Sequence, residues 1–140
     1  MDFLELQAKR MKSSKRIEFT AKVLSTSEGI SRLVLSIPPS VNGYYATVNG
    51  KRVLSKTGRA YKQIVSYLKV KQLSGSIGIE VILKAKDNRR RDLDNILKCL
   101  LDSLGGAGLY DDDSQVDEIT VIRGEKDPAH IIEVSVWERE

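Results

Sequence analysis

The residue types best suited to chemistry lie between positions 91 and 118, in "RDLDNILKCLLDSLGGAGLYDDDSQVDE". Asp92 and Asp94 come first, Lys98 follows, and Asp111, Asp112 and Asp113 return after a glycine-rich stretch. Oxygen ligands without nitrogen or sulfur suit a hard cation, and Mg2+ takes a few carboxylates together with waters and phosphate oxygens. Two carboxylates are marginal for that task. A third would have to come from the Asp111–Asp113 run, and the residue types alone leave open which of the three serves. A calcium loop of the EF-hand kind does not fit. Ile96 and Leu97 stand where that loop needs an oxygen ligand and a glycine. Each feature also has an ordinary use: aspartates cap helices, runs of them fill solvated turns, and Lys98 lies four residues after Asp94, the spacing of a helical ion pair.

A helix must position these groups. Leu93, Ile96, Leu97, Leu100, Leu101 and Leu104 recur with helical spacing, and Gly105-Gly106 is expected to stop it. On that helix Asp94, Lys98 and Asp102 fall within about 80° of one another and form a polar stripe. Asp92 would lie roughly 160° from Asp94 if it were helical too. The two can share an ion only if Asp92 is extended, at the end of the preceding strand or at the N-cap; aspartate is favoured as a cap, and the helix terminus keeps carboxylates ionised.

The remaining pattern supplies a sheet and a second helix. Residues 17–25 and 31–37 alternate as strands, and "PPS" ends the second because proline lacks a ladder donor. Asn49-Gly50 sits between two extended runs, the strongest signal for a tight hairpin turn. "TGRAYKQIVSYLKVKQ" places Ala60, Ile64, Tyr67 and Leu68 near helical spacing, with Thr57 as the expected cap. Strands follow at 79–85, 119–124 and 131–137, the last two joined by "EKDPAH". The first 28 or so residues are the least legible and are read as a short helix and an extra strand. The expectation is one α/β (α+β) domain with a mixed sheet and two main amphipathic helices. His130, the only histidine, is expected on the surface, and Trp137 in the core or at a dimer contact.

Composition bounds the classes. With 140 residues and 41% apolar content the chain can close one core, and no apolar run is long enough to span a membrane. The opening "MDFLELQAKRMKSSKR" has early acids and no apolar segment, so no secretory leader is expected. One cysteine, Cys99, excludes an internal disulfide and a cysteine-rich zinc site, which suits a reducing cytoplasmic setting. Charge is divided: residues 1–72 hold 14 Lys/Arg against 4 Asp/Glu, and residues 73–140 hold 9 against 15. A basic half beside an acidic half suits a polyanion-binding surface next to a cation site. A sugar-nucleotide transferase with an Asp-x-Asp metal site would need a larger fold and a phosphate loop that this chain lacks.

Arg91-Asp92-Leu93-Asp94-Asn95, followed by Lys98, Asp102, Leu104, Gly108 and Asp112-Asp113-Ser114-Gln115-Val116, resembles the RusA family of Holliday-junction resolvases, common in prophages. "IPPSVNGYY" and "LSKTGRAYK" resemble that family's N-terminal signature. The resemblance implies a homodimeric, Mg2+-dependent endonuclease that nicks four-way DNA junctions, with Mn2+ able to substitute. It implies metal binding by Asp92, Asp94 and Asp113 and an essential role for Lys98. Ser114-Gln115-Val116 sets the register that selects Asp113. The alternation of side chains along an extended loop agrees, turning Asp112 away. Arg89, Arg90 and Arg91, with Lys84 and Lys86, are expected to contact DNA. Residues 31–140 would form the RusA-like domain, and residues 1–30 an N-terminal extension of open role. The rival reading is a junction-binding protein without catalysis.

Overall fold

Two-residue alternation builds the sheet. In the computed structural model, which describes residues 18–140, β1 spans Ala21–Ser27 and β2 Ile30–Ser36. A hairpin of β3 (Tyr45–Val48) and β4 (Lys51–Leu54) comes next, then β5 (Ile77–Lys84), β6 (Val116–Arg123) and β7 (Ile131–Glu138). Leu33 and Leu35 of β2, Ile79, Val81 and Leu83 of β5, and Ile132, Val134 and Val136 of β7 are buried on one face. Each such side chain contributes roughly 1.5–3 kcal/mol by leaving water. The other face keeps Glu80, Ile82, Lys84, Glu133 and Trp137 half-exposed. Five strands join in the order β1-β2-β7-β5-β6, with β5 and β6 parallel and the other neighbours antiparallel. This is the mixed α+β sheet that the periodicities predict.

The helices cover the buried face. Helix α1 is a single turn, Val41–Tyr44, while α2 runs Lys56–Ser66 and α3 Leu97–Gly106. Tyr61, Ile64 and Val65 of α2 and Cys99, Leu100 and Leu104 of α3 complete the core, and the two longer helices pack against each other. Asn49 and Gly50 both take left-handed φ (52° and 75°), the tight hairpin expected of that pair. An unanticipated second pair, Glu28 and Gly29 at 52° and 76°, turns β1 into β2. The first strand runs Ala21–Ser27 where the alternation suggests 17–25, and the expected short N-terminal helix lies outside the described residues.

Three boundaries differ from expectation for identifiable reasons. Ser55, not Thr57, caps α2, its Oγ accepting from Gly58 N at 2.9 Å. The helical segment after Asp92 opens as a 3-10 turn, Leu93–Ile96, before α3 begins. Gly105 and Gly106 stay within α3, and the stop falls at Gly108. There φ is 86°, with Leu109 N donating to Leu104 O and Gly108 N to Gly105 O, a left-handed cap that favours glycine.

Parallel strands need a long crossover, and here it is residues 85–115, which contain every candidate aspartate. Asp92 lies eight residues after the end of β5, whereas Asp113 lies three residues before the start of β6. The paired ladder between those two levels, Ile77↔Val116 to Leu83↔Arg123, is roughly 20 Å long.

Candidate active site

Asp92 stands at the N-cap position in extended backbone (φ −79°, ψ 132°), as convergence with Asp94 requires. Its side chain caps nothing. Instead Asn95 Nδ2 lies at 3.5 Å from Asp92 Oδ2, and Asn95 N donates to Asp92 O at 3.3 Å. The expected cap is thus present in backbone form only, leaving the carboxylate exposed and without a backbone donor. Asp94, in the following 3-10 turn, is exposed as well.

Lys98 corrects the simplest reading of the helix. Its ammonium pairs with Asp102 (Nζ–Oδ1 3.3 Å), not with Asp94. The Tyr44 hydroxyl donates to the other carboxylate oxygen, Asp102 Oδ2, at 2.8 Å. The hydrogen bond from Lys98 to Asp102 holds the lysine above its usual range, helped by that carboxylate's charge and, more weakly, by Tyr45 and Asp113. Lys98 is therefore a full cation at neutral pH. Cys99, on the inward side of the same turn, is pushed up to about 12 by burial and is an inert thiol.

The three loop aspartates have different occupations. Asp111 Oδ1 accepts from Gln72 Nε2 at 2.7 Å. Asp112 caps a 3-10 turn, Asp113–Gln115, accepting from Ser114 N at 2.9 Å in a reciprocal box with Gln115. That backbone hydrogen bond, with a smaller contribution from the Ser114 and Asp113 side chains, holds the Asp112 carboxyl below its usual range. No nitrogen among the described residues donates to the Asp113 carboxylate. Residues 113–115 are turned rather than extended, so the alternation expected along that loop does not hold, and the Asp112 carboxylate is engaged as a cap.

The basic residues divide too. Arg91 is braced inside the protein, donating to Asp87 Oδ1 (2.8 Å) and Arg89 O (3.1 Å). That contact, with the Arg89 backbone N–H, lowers the Asp87 carboxyl to about 2. Lys84 pairs with Glu133 on the open face of the sheet. Arg89, Arg90 and Lys86 remain exposed, and the two arginines line a cleft with Ser40, Thr57, Asp92 and His130. His130 is half-buried, with φ 56°, and its Nδ1 accepts from Lys86 N at 3.0 Å. Burial first, then Arg91 and Lys86, lower its pKa, so it is a neutral wall of this cleft. A lone histidine in "DPAH" carries no sequence signal for that placement. Trp137 is half-buried, its ring lying against Gly78 on the open face.

The donor chemistry fits a hard cation: ionisable, exposed oxygens, with Asp92 and Asp113 free of backbone donors. The arrangement does not gather them. Among the described residues no three His, Cys, Asp or Glu side chains are close enough together to hold a metal ion. Asp92 and Asp94 sit at the helix start, and Asp113 near the other end of the crossover.

Comparison with known proteins adds an independent finding. The family model described as "Endodeoxyribonuclease RusA" matches residues 36–136. A protein of Enterobacteria phage HK97 named "Crossover junction endodeoxyribonuclease rusA" is 43% identical over 114 residues, 78% of this chain and 95% of that protein. Proteins of Shigella sonnei (strain Ss046) and Escherichia coli (strain K12), both named "Crossover junction endodeoxyribonuclease RusA", are 36% identical over 97 residues. Those matches cover 65% of this chain and 80% of each relative.

Proposed function

The chain belongs to the RusA endodeoxyribonuclease family, and we propose from that ground that it resolves Holliday junctions by paired nicks in DNA recombination and repair. The supporting observation in the fold is the uncapped Asp92, held extended beside Asp94 and next to exposed Arg89 and Arg90. Asp92, Asp94 and Asp113 would hold Mg2+, with Mn2+ as a substitute, once Asp113, which stands apart from the other two within one protomer, is brought to them on assembly with a second protomer or with DNA. When bound, the cation supplies Lewis acidity at the scissile phosphate and eases deprotonation of the attacking water. Lys98 presents a permanent positive charge to the phosphate oxygens as negative charge builds on them. Arg89, Arg90 and Lys86 contact flanking phosphates without reading sequence. Two nicks on a two-fold junction call for two related sites, so the working unit is a homodimer in the cytoplasm. Among the described residues no helix is long and apolar enough to cross a membrane.

The test is a synthetic four-way junction incubated with the protein in Mg2+ and, separately, in EDTA. Paired nicks in Mg2+ and none in EDTA are expected. Equal binding under both conditions with no nicking in either would replace this reading with that of a non-catalytic junction binder.

Binding of the same junction in EDTA should weaken steeply as salt rises, because each neutralised phosphate releases counterions. With about six phosphate contacts the loss between about 50 and 200 mM salt is roughly 10³-fold. A flat response in a filter-binding or anisotropy titration would remove the basic residues from the DNA surface.

A further inference from the structure

Lysine is a poor instrument for placing charge, because its stem is flexible and an exposed ion pair restrains it weakly. The Lys98 side chain is 48% exposed. What distinguishes this pair is the state of its acceptor. The Asp102 side chain is 23% exposed and uses one oxygen for Lys98 and the other for the Tyr44 hydroxyl. Tyr44 is fully buried, so its hydroxyl needs an acceptor, and a polar group buried without one is costly.

Tyr44 is itself fixed from several sides. Its N–H donates to Ser40 O at 2.8 Å, and its carbonyl accepts from Ser55 N at 3.0 Å. Ser55 Oγ donates to the preceding carbonyl, Gly43 O, at 2.6 Å. Its ring lies against Gly58, where an added Cβ would stand 2.7 Å from Tyr44 Cδ1 and 2.6 Å from Tyr44 O. Only glycine admits that approach. The chain of contacts runs from the Ser40–Tyr45 segment through Asp102 to the Lys98 ammonium.

We propose that Asp102 is the positioning residue for Lys98, and that buried Tyr44 anchors Asp102 so that the lysine is held ready beside the scissile phosphate. This gives the "PPSVNGYY" stretch a purpose in the reaction although it carries no ligand or reactive group. It rests on the assignment of Lys98 in the proposed mechanism, and the experiment separates the two.

The experiment is a double-mutant cycle on single-turnover nicking of a four-way junction in Mg2+. Junction affinity in EDTA and thermal unfolding are measured for every variant. Asp102→Asn should slow nicking at saturating junction about 10- to 100-fold, the range for loss of a group that orients another, with affinity unchanged. In the Lys98→Ala background the same change should add nothing, because there is no ammonium left to place. Tyr44→Phe keeps the ring and removes only the hydroxyl. It should slow nicking roughly 3- to 10-fold and add nothing to Asp102→Asn. A purely structural role would lower the unfolding temperature and slow both backgrounds equally, which overturns the proposal. Parent-rate nicking by Asp102→Asn, with Lys98→Ala inactive, overturns positioning and leaves the role of Lys98 standing. Normal nicking by Lys98→Ala overturns both. If Asp102→Asn does not fold, Tyr44→Phe in the two Lys98 backgrounds decides alone, and equal slowing in both overturns the proposal.

Discussion

Replacing Asp113 by asparagine is expected to abolish junction nicking while leaving junction binding intact or slightly tighter. The substitution removes one anionic ligand from a site that needs a third carboxylate, and it removes a negative charge that repels DNA phosphate. Charge stabilisation by a catalytic cation is worth several kcal/mol, and each 1.4 kcal/mol or so is tenfold, so a loss of about 10³-fold or more is expected. The neighbouring aspartates provide the internal controls. Asp111 is engaged with Gln72 at 2.7 Å, and an asparagine there retains an acceptor oxygen, so Asp111→Asn should behave as the parent. Asp112 caps the 3-10 turn that begins at Asp113, and asparagine caps nearly as well, so Asp112→Asn should lose little. All three are to be assayed across a Mg2+ titration with binding measured alongside. Normal nicking by Asp113→Asn with loss in Asp111→Asn would place the ligand two residues earlier.

Lys98→Ala should lower the nicking rate by about 10²- to 10³-fold, the range for deleting one donor aimed at developing transition-state charge. Junction affinity should change little, because a group acting mainly on the transition state contributes to rate rather than to ground-state binding. Rate at saturating junction and equilibrium affinity must therefore be measured on the same preparation. Parallel losses in both would recast Lys98 as a phosphate clamp.

Much of this architecture was legible because its signals are local. Alternation located the strands, Asn49-Gly50 located a hairpin, and the leucine stripe located the helix that presents Lys98. Misreadings arose where a distant residue decided between two locally equal options. Ser55 and Thr57 are both competent caps, and Ser55 is chosen where its hydroxyl also reaches Gly43 O. Asp94 and Asp102 are both four residues from Lys98, and an acid N-terminal to a lysine is the better helical order. Asp102 wins because Tyr44, 58 residues away, holds it in place. The extended setting of Asp92 could be foreseen from the helix wheel. Its lack of a capping hydrogen bond, and the pairing of Arg91 with Asp87 and of Lys84 with Glu133, could not.

The strand order has a consequence for how the protein is made. Among the described residues strand β7 follows the other six in sequence, yet it lies in the interior of the sheet, between β2 and β5. Its pairings span long sequence separations, from Ile30↔Trp137 on one side to Ile77↔Glu138 on the other. A nascent chain can form the β1–β2 hairpin and the β5–β6 crossover separately, but no ladder joins them until residues 131–138 have emerged from the ribosome. Closure of such distant pairs is slow relative to local structure, because loop entropy is lost before the contacts compensate. The crossover that carries every acidic candidate is therefore secured late, by the insertion of one strand. Assembly is thus coupled to synthesis of β7, and a ribosome stalled before it leaves two unjoined halves rather than a partly formed nuclease.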